Sequence, residues 1–498
     1  MIQLVVVENP KRWPFQLEGV EVVPARQYLV ERKYSDMRRV AVYNICRNYG
    51  YQNVGYYVSL LAQARGHRPL PSVATLQALG ETPLVRMASG ELEKLIQTSL
   101  GRLQSGEFRL SIYFGRNVAR RHDRLARALF NLFPAPFLRA RFAWEGDMWK
   151  LQSLRPIATS EIPDSHHAFV MQQARQHFTR PSRARRPREF RYDMAILWNE
   201  KDLTAPSNER AIRRFQKAAA VVGIYTDVID QDDYGRIAEY DALFIRETTG
   251  VNHHTYRFSR RAAAEGLVVM DDPESIVRCG NKVYQAELFE RHEIPCPPTM
   301  VVHEENADEV GARIGFPCVL KKPDGSFSQG IALVGSAAEL KVRLQSLFAE
   351  SELVVAQGFV PSSFDWRVGV LDRRPLYVCK YHMAAGHWQI AHNAPGEQIR
   401  FGRVETFRIE DAPRAAVELG VRAASLVGDG LYGVDIKEVS GRFLVMEVND
   451  NPNLDGGVED ALLKDGLYEE IMRWFRIRLD ARGSEPRHGN GVRPVLPG

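Results

Sequence analysis

Leu431 to Gly456, reading LYGVDIKEVSGRFLVMEVNDNPNLDG, constrains this chain more than any other stretch. It reads as a strand, a tight turn and a returning strand, with Asp435, Glu447 and Asn449 along it. Alternation puts Phe443, Val445, Glu447 and Asn449 on one face. Two oxygen-bearing side chains two residues apart in an apolar strand are costly to bury unless a cation meets them. Asp435 joins them only if it lies opposite Glu447 across the hairpin. That pairing centres the turn on Gly441 and needs a loop of odd length, for instance Ser440-Gly441-Arg442, with glycine at the left-handed position. Carboxylate, carboxylate and amide oxygens on one rigid face suit a hard cation such as Mg²⁺ carrying phosphate ligands. The plainer reading is a solvated edge hairpin with an acidic face.

A chain of 498 residues is too long for one core, so two to four domains are expected. Its 45% hydrophobic and 26% charged residues are ordinary for a soluble globular protein. The opening apolar run in MIQLVVVENPKRW is too short for a secretory signal, and no stretch reaches the roughly 18 apolar residues of a membrane span. Cys46, Cys279, Cys296, Cys318 and Cys379 are scattered without a CxxC pair and read as reduced thiols. Together these features point to a cytoplasmic protein with no membrane partner. A net charge of +5 permits a polyanionic substrate such as ATP but does not demonstrate a nucleic-acid partner.

Residues 1–160 alternate short β-like runs (Gln3–Val7, Val20–Val23, Arg39–Ile45, Arg109–Tyr113, Phe137–Trp144, Met148–Leu154) with helices near Tyr56–Gly66, Gly90–Leu103 and Arg121–Leu132. No catalytic constellation appears there. Tyr49, Tyr51, Tyr56 and Tyr57 beside Arg47 read as packing more readily than as a ligand site, and His67 as a helix cap. Residues 161–191 read as a helix followed by an Arg/Pro-rich linker, PSRARRPREFR. From 192 to 280 a β-α-β pattern predicts a small α/β unit. His253 and His254 are adjacent and cannot form a metal pair alone, so they read as capping or lining residues.

Asn281 then N-caps a helix carrying Lys282, and Lys321 emerges from the apolar run PCVLK. The loop PDGSFSQG, with Gly325, Ser326 and Gly330, lets backbone N–H groups approach phosphate; it is not a P-loop. A strand leads into Gln357-Gly358-Phe359-Val360, and Asp365-Trp366-Arg367 opens another. The run KYHMAAGHWQIAHN is dense in donors: Lys380, His382, His387, Gln389, His392 and Asn393. It contains no carboxylate or Cys to complete a zinc site and reads as a face for carboxylate or phosphate. Residues 479–498 are polar and Pro/Gly-rich and read as a disordered tail.

Taken in order, these segments resemble the ATP-grasp superfamily, and within it the RimK-like amino-acid ligases. The residues carrying the resemblance are Asn281-Lys282, Lys321, the Gly325–Gly330 loop, Gln357, Asp365–Arg367, Gly433–Ile436 and Met446–Pro452, across roughly residues 192 to 478. The stretch Asn53–Val73 resembles the domain found ahead of such modules in a RimK-like subgroup. The resemblance implies an α/β (α+β) multi-domain fold. A separate N-terminal α/β domain would precede a pre-grasp α/β unit, a central lid domain at about 300–360 and a C-terminal antiparallel lobe, the grasp itself spanning 281–478.

It also implies roles. Lys282 and Lys321 would contact ATP phosphates under the loop Gly325, Ser326 and Gly330. Gln357, Gly358, Phe359 and Val360 would hold adenine through backbone groups, with Asp365 nearby. Asp435, Glu447 and Asn449 would bind two Mg²⁺, or Mn²⁺, with Glu447 bridging. Arg367, with Lys321 as the other catalytic group, and the face of Lys380, His382, His387, Gln389 and Asn393 would receive the acyl phosphate or the incoming amino acid. Two departures stand out: Gly358 replaces a common glutamate, and the phosphate loop is long and ends Gly330-Ile331-Ala332. The implied reaction is ATP-dependent ligation of a carboxylate to an amine, with a glutamate-like amino acid and a small molecule, peptide or ribosomal protein tail as acceptor. No general base is assigned. The alternatives are an ATP-binding sensor or scaffold and a grasp-fold kinase. The resemblance implies a homo-oligomer.

Overall fold

The computed structural model describes residues 2–15, 19–37, 40–80, 92–178, 190–202, 204–324, 330–384, 388–392 and 400–483. The chain divides into two compact units, one of residues 1–188 with 232–239, the other of 189–231 with 240–498. Among the described residues no helix is long and apolar enough to cross a membrane.

The first unit opens with a four-stranded parallel sheet in the order Glu21–Pro24, Ile2–Val7, Val40–Asn44, Arg68–Leu70. Near-continuous Val and Leu runs are what strands covered on both faces require. Helix Val54–Ala64 makes the crossover and ends at Gly66, whose φ of +69° suits glycine. His67 follows it and is buried, with Tyr28 Oη and His67 Nδ1 hydrogen-bonded at 2.8 Å. It is therefore a core residue. The unit closes with an antiparallel sheet of Glu107–Tyr113, Phe137–Glu145 and Met148–Pro156, covered by helix Asp123–Leu132 through Leu125, Ala126 and Leu129. Helix His167–Phe178 packs Val170, Ala174 and Phe178 beside Val5, Tyr43 and Phe137. The linker residues 179–189 lie outside the described residues.

Among its described residues the second unit holds three larger sheets and a two-stranded one of Ala391–His392 and Arg400–Phe401. A parallel sheet runs Val268–Met270, Ala242–Ile245, Tyr192–Leu197, Ile224–Ile229. An antiparallel sheet runs Thr299–Val302, Val354–Gly358, Cys318–Lys321, Ile331–Val334. The third, also antiparallel, runs Val404–Phe407, Arg374–His382, Phe364–Leu371, Leu431–Val439, Arg442–Asp450. Helix Arg414–Val427 covers one face of it, against Trp366, Val368, Ile436, Val445 and Val448.

Two local expectations change. Helix Asp465–Gly483 runs past Asp480, where a disordered tail was expected to begin. Asp480 is held by Tyr192 Oη at 2.7 Å and Arg476 Nε at 2.8 Å, contacts that a polar sequence does not reveal. The hairpin turn has two residues rather than three: Val439 pairs with Arg442 across Ser440 and Gly441, both at positive φ.

Candidate functional site

The two-residue turn on its own would put Asp435 out of step with Glu447. A β-bulge at Met446 restores the pairing: Ile436 opposes Val445, and Asp435 opposes Glu447. One extra residue on one arm moves every following side chain to the other face. Phe443 and Val445 consequently face the core under helix Arg414–Val427, while Glu447 and Asn449 face away from it. The expected single face for all four is corrected, and the acidic trio survives because of the bulge.

Asp435 is buried and held in a two-pronged ion pair, with Arg367 Nε on one oxygen and Nη2 on the other at 2.8 Å. Asn449 Nδ2 donates to Asp435 Oδ2 at 3.2 Å. Lys282, first residue of helix Lys282–Arg291, reaches Glu447 at 3.8 Å. Asn281 caps that helix by accepting from Val283 and Tyr284, and the Lys282 N–H donates to Pro323 O at 2.7 Å, tying the helix start to the phosphate-loop segment. Lys437 donates to Asp365 at 2.6 Å. Sequence reasoning missed Lys437, although strand alternation two residues on from Asp435 puts it on the same face.

Four cations, Lys282, Lys321, Arg367 and Lys437, thus gather around three carboxylates, Asp365, Asp435 and Glu447. The surplus is one positive charge, which suits a polyphosphate. Burial pushes Asp365 up to about 6 against the pull of Lys437. Burial also raises Asp435, and Arg367 opposes it. For Glu447 burial pushes upward but Lys282, Lys321 and Arg367 together win, leaving its carboxyl below the ordinary value. Of the three carboxyls, Glu447 is thereby the one that its surroundings hold below the ordinary value.

Lys321, the last residue of its strand, is buried and donates to Gln357 Oε1 at 2.8 Å, while Gln357 Nε2 donates to Thr299 Oγ1 at 3.0 Å. The Gln357 side chain therefore orients the lysine. Gln357→Leu strips the acceptor from a buried ammonium, costing roughly 2 kcal/mol, and is expected to raise the KM for ATP about tenfold in initial-rate assays; an unchanged KM would contradict the role. Burial brings Lys321 down to about 8, with Lys282 and Lys437 adding to the fall and Glu447 opposing it. Its proton is held more weakly in the folded protein than in the unfolded chain. Keeping it charged below pH 8 therefore costs stability, and that cost is relieved as pH rises from 8 towards 10.5. The ammonium is lost over the same window, so ATP affinity measured by calorimetry is expected to fall between pH 7 and pH 9.

Gly358 N–H donates to Pro298 O at 2.8 Å and Phe359 N–H to Pro317 O at 3.2 Å, so these two donors are engaged by backbone carbonyls. Phe359 packs edge-on against Trp388 at 5.7 Å. Gly330, at φ +71°, lies against the Lys322 side chain. Gly325 and Ser326, and likewise His387 and Asn393, lie outside the described residues. Gln389 sits in the turn at 388–390, its carbonyl accepting from Ala384.

Lys380 and His382 are not on the acidic face. Lys380 pairs with Trp366, so its ammonium lies 4.3 Å from the Phe364 ring and 4.6 Å from Trp366 on the helix-covered side. His382 hydrogen-bonds Glu405 there at 2.9 Å. Their alternates Cys379 and Tyr381 face Arg367, with Tyr381 Oη donating to Glu459 and its ring 5.0 Å from the guanidinium. The donor-dense run misled because strand alternation divides its first residues between two faces.

An all-oxygen trio of Asp435, Glu447 and Asn449 fits a hard cation. Among the described residues no three His, Cys, Asp or Glu side chains converge to hold a metal by themselves. The fit therefore needs ligand oxygens from outside the protein, as a nucleotide phosphate supplies.

Residues 279–471 match the family model described as RimK-like ATP-grasp domain, and residues 25–173 that described as RimK-like ATPgrasp N-terminal domain. The chain is similar to an "Alpha-aminoadipate--LysW ligase LysX" of Sulfolobus acidocaldarius, 28% identical over 56% of this chain and all of the relative. It is also similar to a "Probable alpha-L-glutamate ligase" of Vibrio vulnificus, 25% identical over 47% of this chain and 77% of the relative. A solved RimK domain ATP-grasp protein of Sphaerobacter thermophilus superposes with a TM-score of 0.43 at 16% identity, covering 56% of this chain and 98% of the other. The enzyme class these matches give is an ATP-dependent carbon–nitrogen ligase. With both family models matched in chain order, this protein belongs to the RimK-like ATP-grasp family.

Proposed function

We propose that the protein joins an acidic amino acid to a carboxylate-bearing acceptor through an acyl phosphate. One observation carries this reading: Lys282 from a helix start, with Lys321 and Arg367 from two antiparallel sheets of the second unit, gathers around Glu447 and Asp435. A carboxylate does not react with an amine at neutral pH because its oxygen is a poor leaving group. In the proposed reaction the carboxylate oxygen attacks the γ-phosphorus of ATP and ADP leaves. The amine nitrogen then attacks the acyl carbon, expelling phosphate and losing a proton as the amide forms. The work left to the protein is alignment and charge neutralisation.

Lys282 and Lys321 would hold phosphate oxygens, with Gln357 fixing the second lysine. Arg367, already braced by Asp435 and Tyr381, would steady the acyl phosphate. Asp435, Glu447 and Asn449 would hold two Mg²⁺, or Mn²⁺ in their place; bound there, the ions neutralise phosphoryl charge. An acidic amino acid is favoured because the similar proteins are named for α-aminoadipate and glutamate. The surplus positive charge of the site is compatible with an additional carboxylate. The test is ADP release across a panel of amino acids, each paired with candidate carboxylates, followed by mass analysis of the product. Glutamate or α-aminoadipate is expected to stimulate release and to appear in an amide product. ADP release that ignores the amine, or yields a stable phosphoester, would refute ligation.

A further inference from the structure

The first unit repeats the build of the second. Helices Val54–Ala64 and His254–Ala264 stand 200 positions apart, as do strands Arg68–Leu70 and Val268–Met270 and helices Val73–Gly80 and Pro273–Gly280. The same internal bond recurs: Ser59 Oγ donates to Pro71 O at 2.8 Å, and Ser259 Oγ to Asp271 O at 2.6 Å. The likeness extends to the antiparallel layer. Phe137–Glu145 and Met148–Pro156 form a hairpin on a two-residue left-handed turn, Gly146-Asp147, with Glu107–Tyr113 beside the first arm. Leu431–Val439 and Arg442–Asp450 do the same on Ser440-Gly441, with Phe364–Leu371 beside the first arm.

Both hairpins shift register at the same distance from the turn, between Arg141 and Phe142 in one and between Asp435 and Ile436 in the other. Counted from the turn, Arg141 stands in the place of Asp435, Ser153 in that of Glu447 and Arg155 in that of Asn449. Arg109, which pairs with Arg141, stands in the place of Arg367, which pairs with Asp435. Where one unit carries a metal-binding trio, the other carries arginine, serine and arginine.

The resulting face is strongly basic. Its cross-strand rows are Arg109–Arg141–Ser153, Ser111–Arg139–Arg155 and Glu107–Ala143–Lys150. Arginine directly opposite arginine, twice, opposes sheet formation. Three acids stand against the five cations: Glu107 pairs with Arg141 at 2.6 Å, Glu161 with Arg155 at 2.6 Å and Arg139 at 3.7 Å, and Glu145, next after Ala143 on the same face, accepts from Gln152 Nε2 at 2.9 Å. Arg109 and Lys150 are exposed and make no ion pair among the described residues. A sheet that tolerates such repulsion is suited to an anionic ligand that relieves it.

We propose that this face binds a carboxylate-rich peptide segment. Alternate side chains of an extended peptide recur at about 6.8 Å, the same repeat that separates Arg139 from Arg141 along their strand. Guanidinium forks match carboxylates in two-pronged geometry. A single-stranded nucleic acid fits less well, because none of the nine side chains is aromatic and bases find no platform to stack on. Glu107 and Glu161 would also repel a continuous phosphodiester. The proposal does not depend on the ligation reading, since binding needs neither ATP nor turnover.

Fluorescence anisotropy of labelled hexa-L-glutamate with the full chain, without nucleotide, tests it. Saturable binding is expected, weakened at least about tenfold by the double variant Arg109→Glu/Arg141→Glu and by raising NaCl from about 50 to about 300 mM. The milder Arg109→Gln/Arg141→Gln is expected to weaken it in the same direction with an unchanged melting temperature. Glu447→Ala is expected to leave it within about twofold, which separates this face from the nucleotide site. Absence of saturable binding by the unaltered chain, retention of full binding by both arginine variants, loss of binding in Glu447→Ala, or tighter binding of a six-nucleotide oligouridylate would each overturn the proposal.

Discussion

Glu447→Ala is expected to lower amine-dependent ADP formation about a thousandfold, the scale on which a single preorganised charge acts in phosphoryl transfer. Three observations single out this residue rather than Asp435. Asp435 is already committed to Arg367 through two hydrogen bonds. Glu447, by contrast, is approached by Lys282 at 3.8 Å and hydrogen-bonded by Asn449, with no two-pronged ion pair among the described residues. It is also the carboxyl that the surrounding cations keep ionised in spite of burial. The isosteric Glu447→Gln separates charge from volume, since the amide retains the shape and an oxygen but loses the negative charge. Both variants are expected to melt close to the unaltered chain while losing turnover. Full turnover in either would remove Glu447 from the site. ATP binding without turnover would instead place the loss in the chemical step.

Much of this site was legible in the residue order because its parts sit in short, chemically marked strings. Lys321 after an apolar run, Arg367 in Asp-Trp-Arg and Glu447 in Met-Glu-Val-Asn are polar residues inside strand patterns, and burial makes such residues informative. Other features depend on geometry that a string does not carry. The turn of Ser440 and Gly441 and the bulge at Met446 give the same Asp435–Glu447 pairing as a three-residue loop, so the pairing could be inferred while the route to it was wrong. Lys380 and His382 looked like neighbours of the acidic face because they sit among other donors, yet pairing with Trp366 and Phe364 turns both away from it. The repeat between the units left only faint marks: Tyr56, Ser59, Ala62, Ala64, Gly66 and Gly80 recur as the same residue types 200 positions on. Apart from Tyr56 they are small residues, and larger core residues around them have drifted from Val58 to Phe258 and from Leu76 to Ile276.

Arg246→Met is expected to destabilise the second unit by about 3–5 kcal/mol, which lowers its melting temperature by roughly 10 °C for a unit of this size. No sequence pattern marks Arg246, which follows the strand Ala242–Ile245 and is completely buried. Its guanidinium donates to Ser207 Oγ at 3.0 Å, Asn451 Oδ1 at 2.6 Å, Pro206 O at 2.7 Å and Pro452 O at 2.8 Å. Burial brings it down to about 10, with Asp271 opposing the fall, so it remains charged at neutral pH. Methionine fills much of the same volume but strands four acceptors and removes the cation beside Asp271, whose own burial already disfavours its charge. The loss also reaches the site. Asn451 and Pro452 lie two and three residues past Asn449, and Asn451 holds a φ of +46° while its amide donates to Glu247 O at 2.6 Å. Without the guanidinium, the chain leaving the acidic strand loses the contacts that fix where Asn449 points. Arg246→Lys restores the charge but not the planar fork, so it is expected to recover only part of the stability. Differential scanning calorimetry of the three proteins decides the matter: a methionine variant melting within about 2 °C of the parent would show that the buried arginine is not what ties the parallel sheet to the strand carrying Glu447.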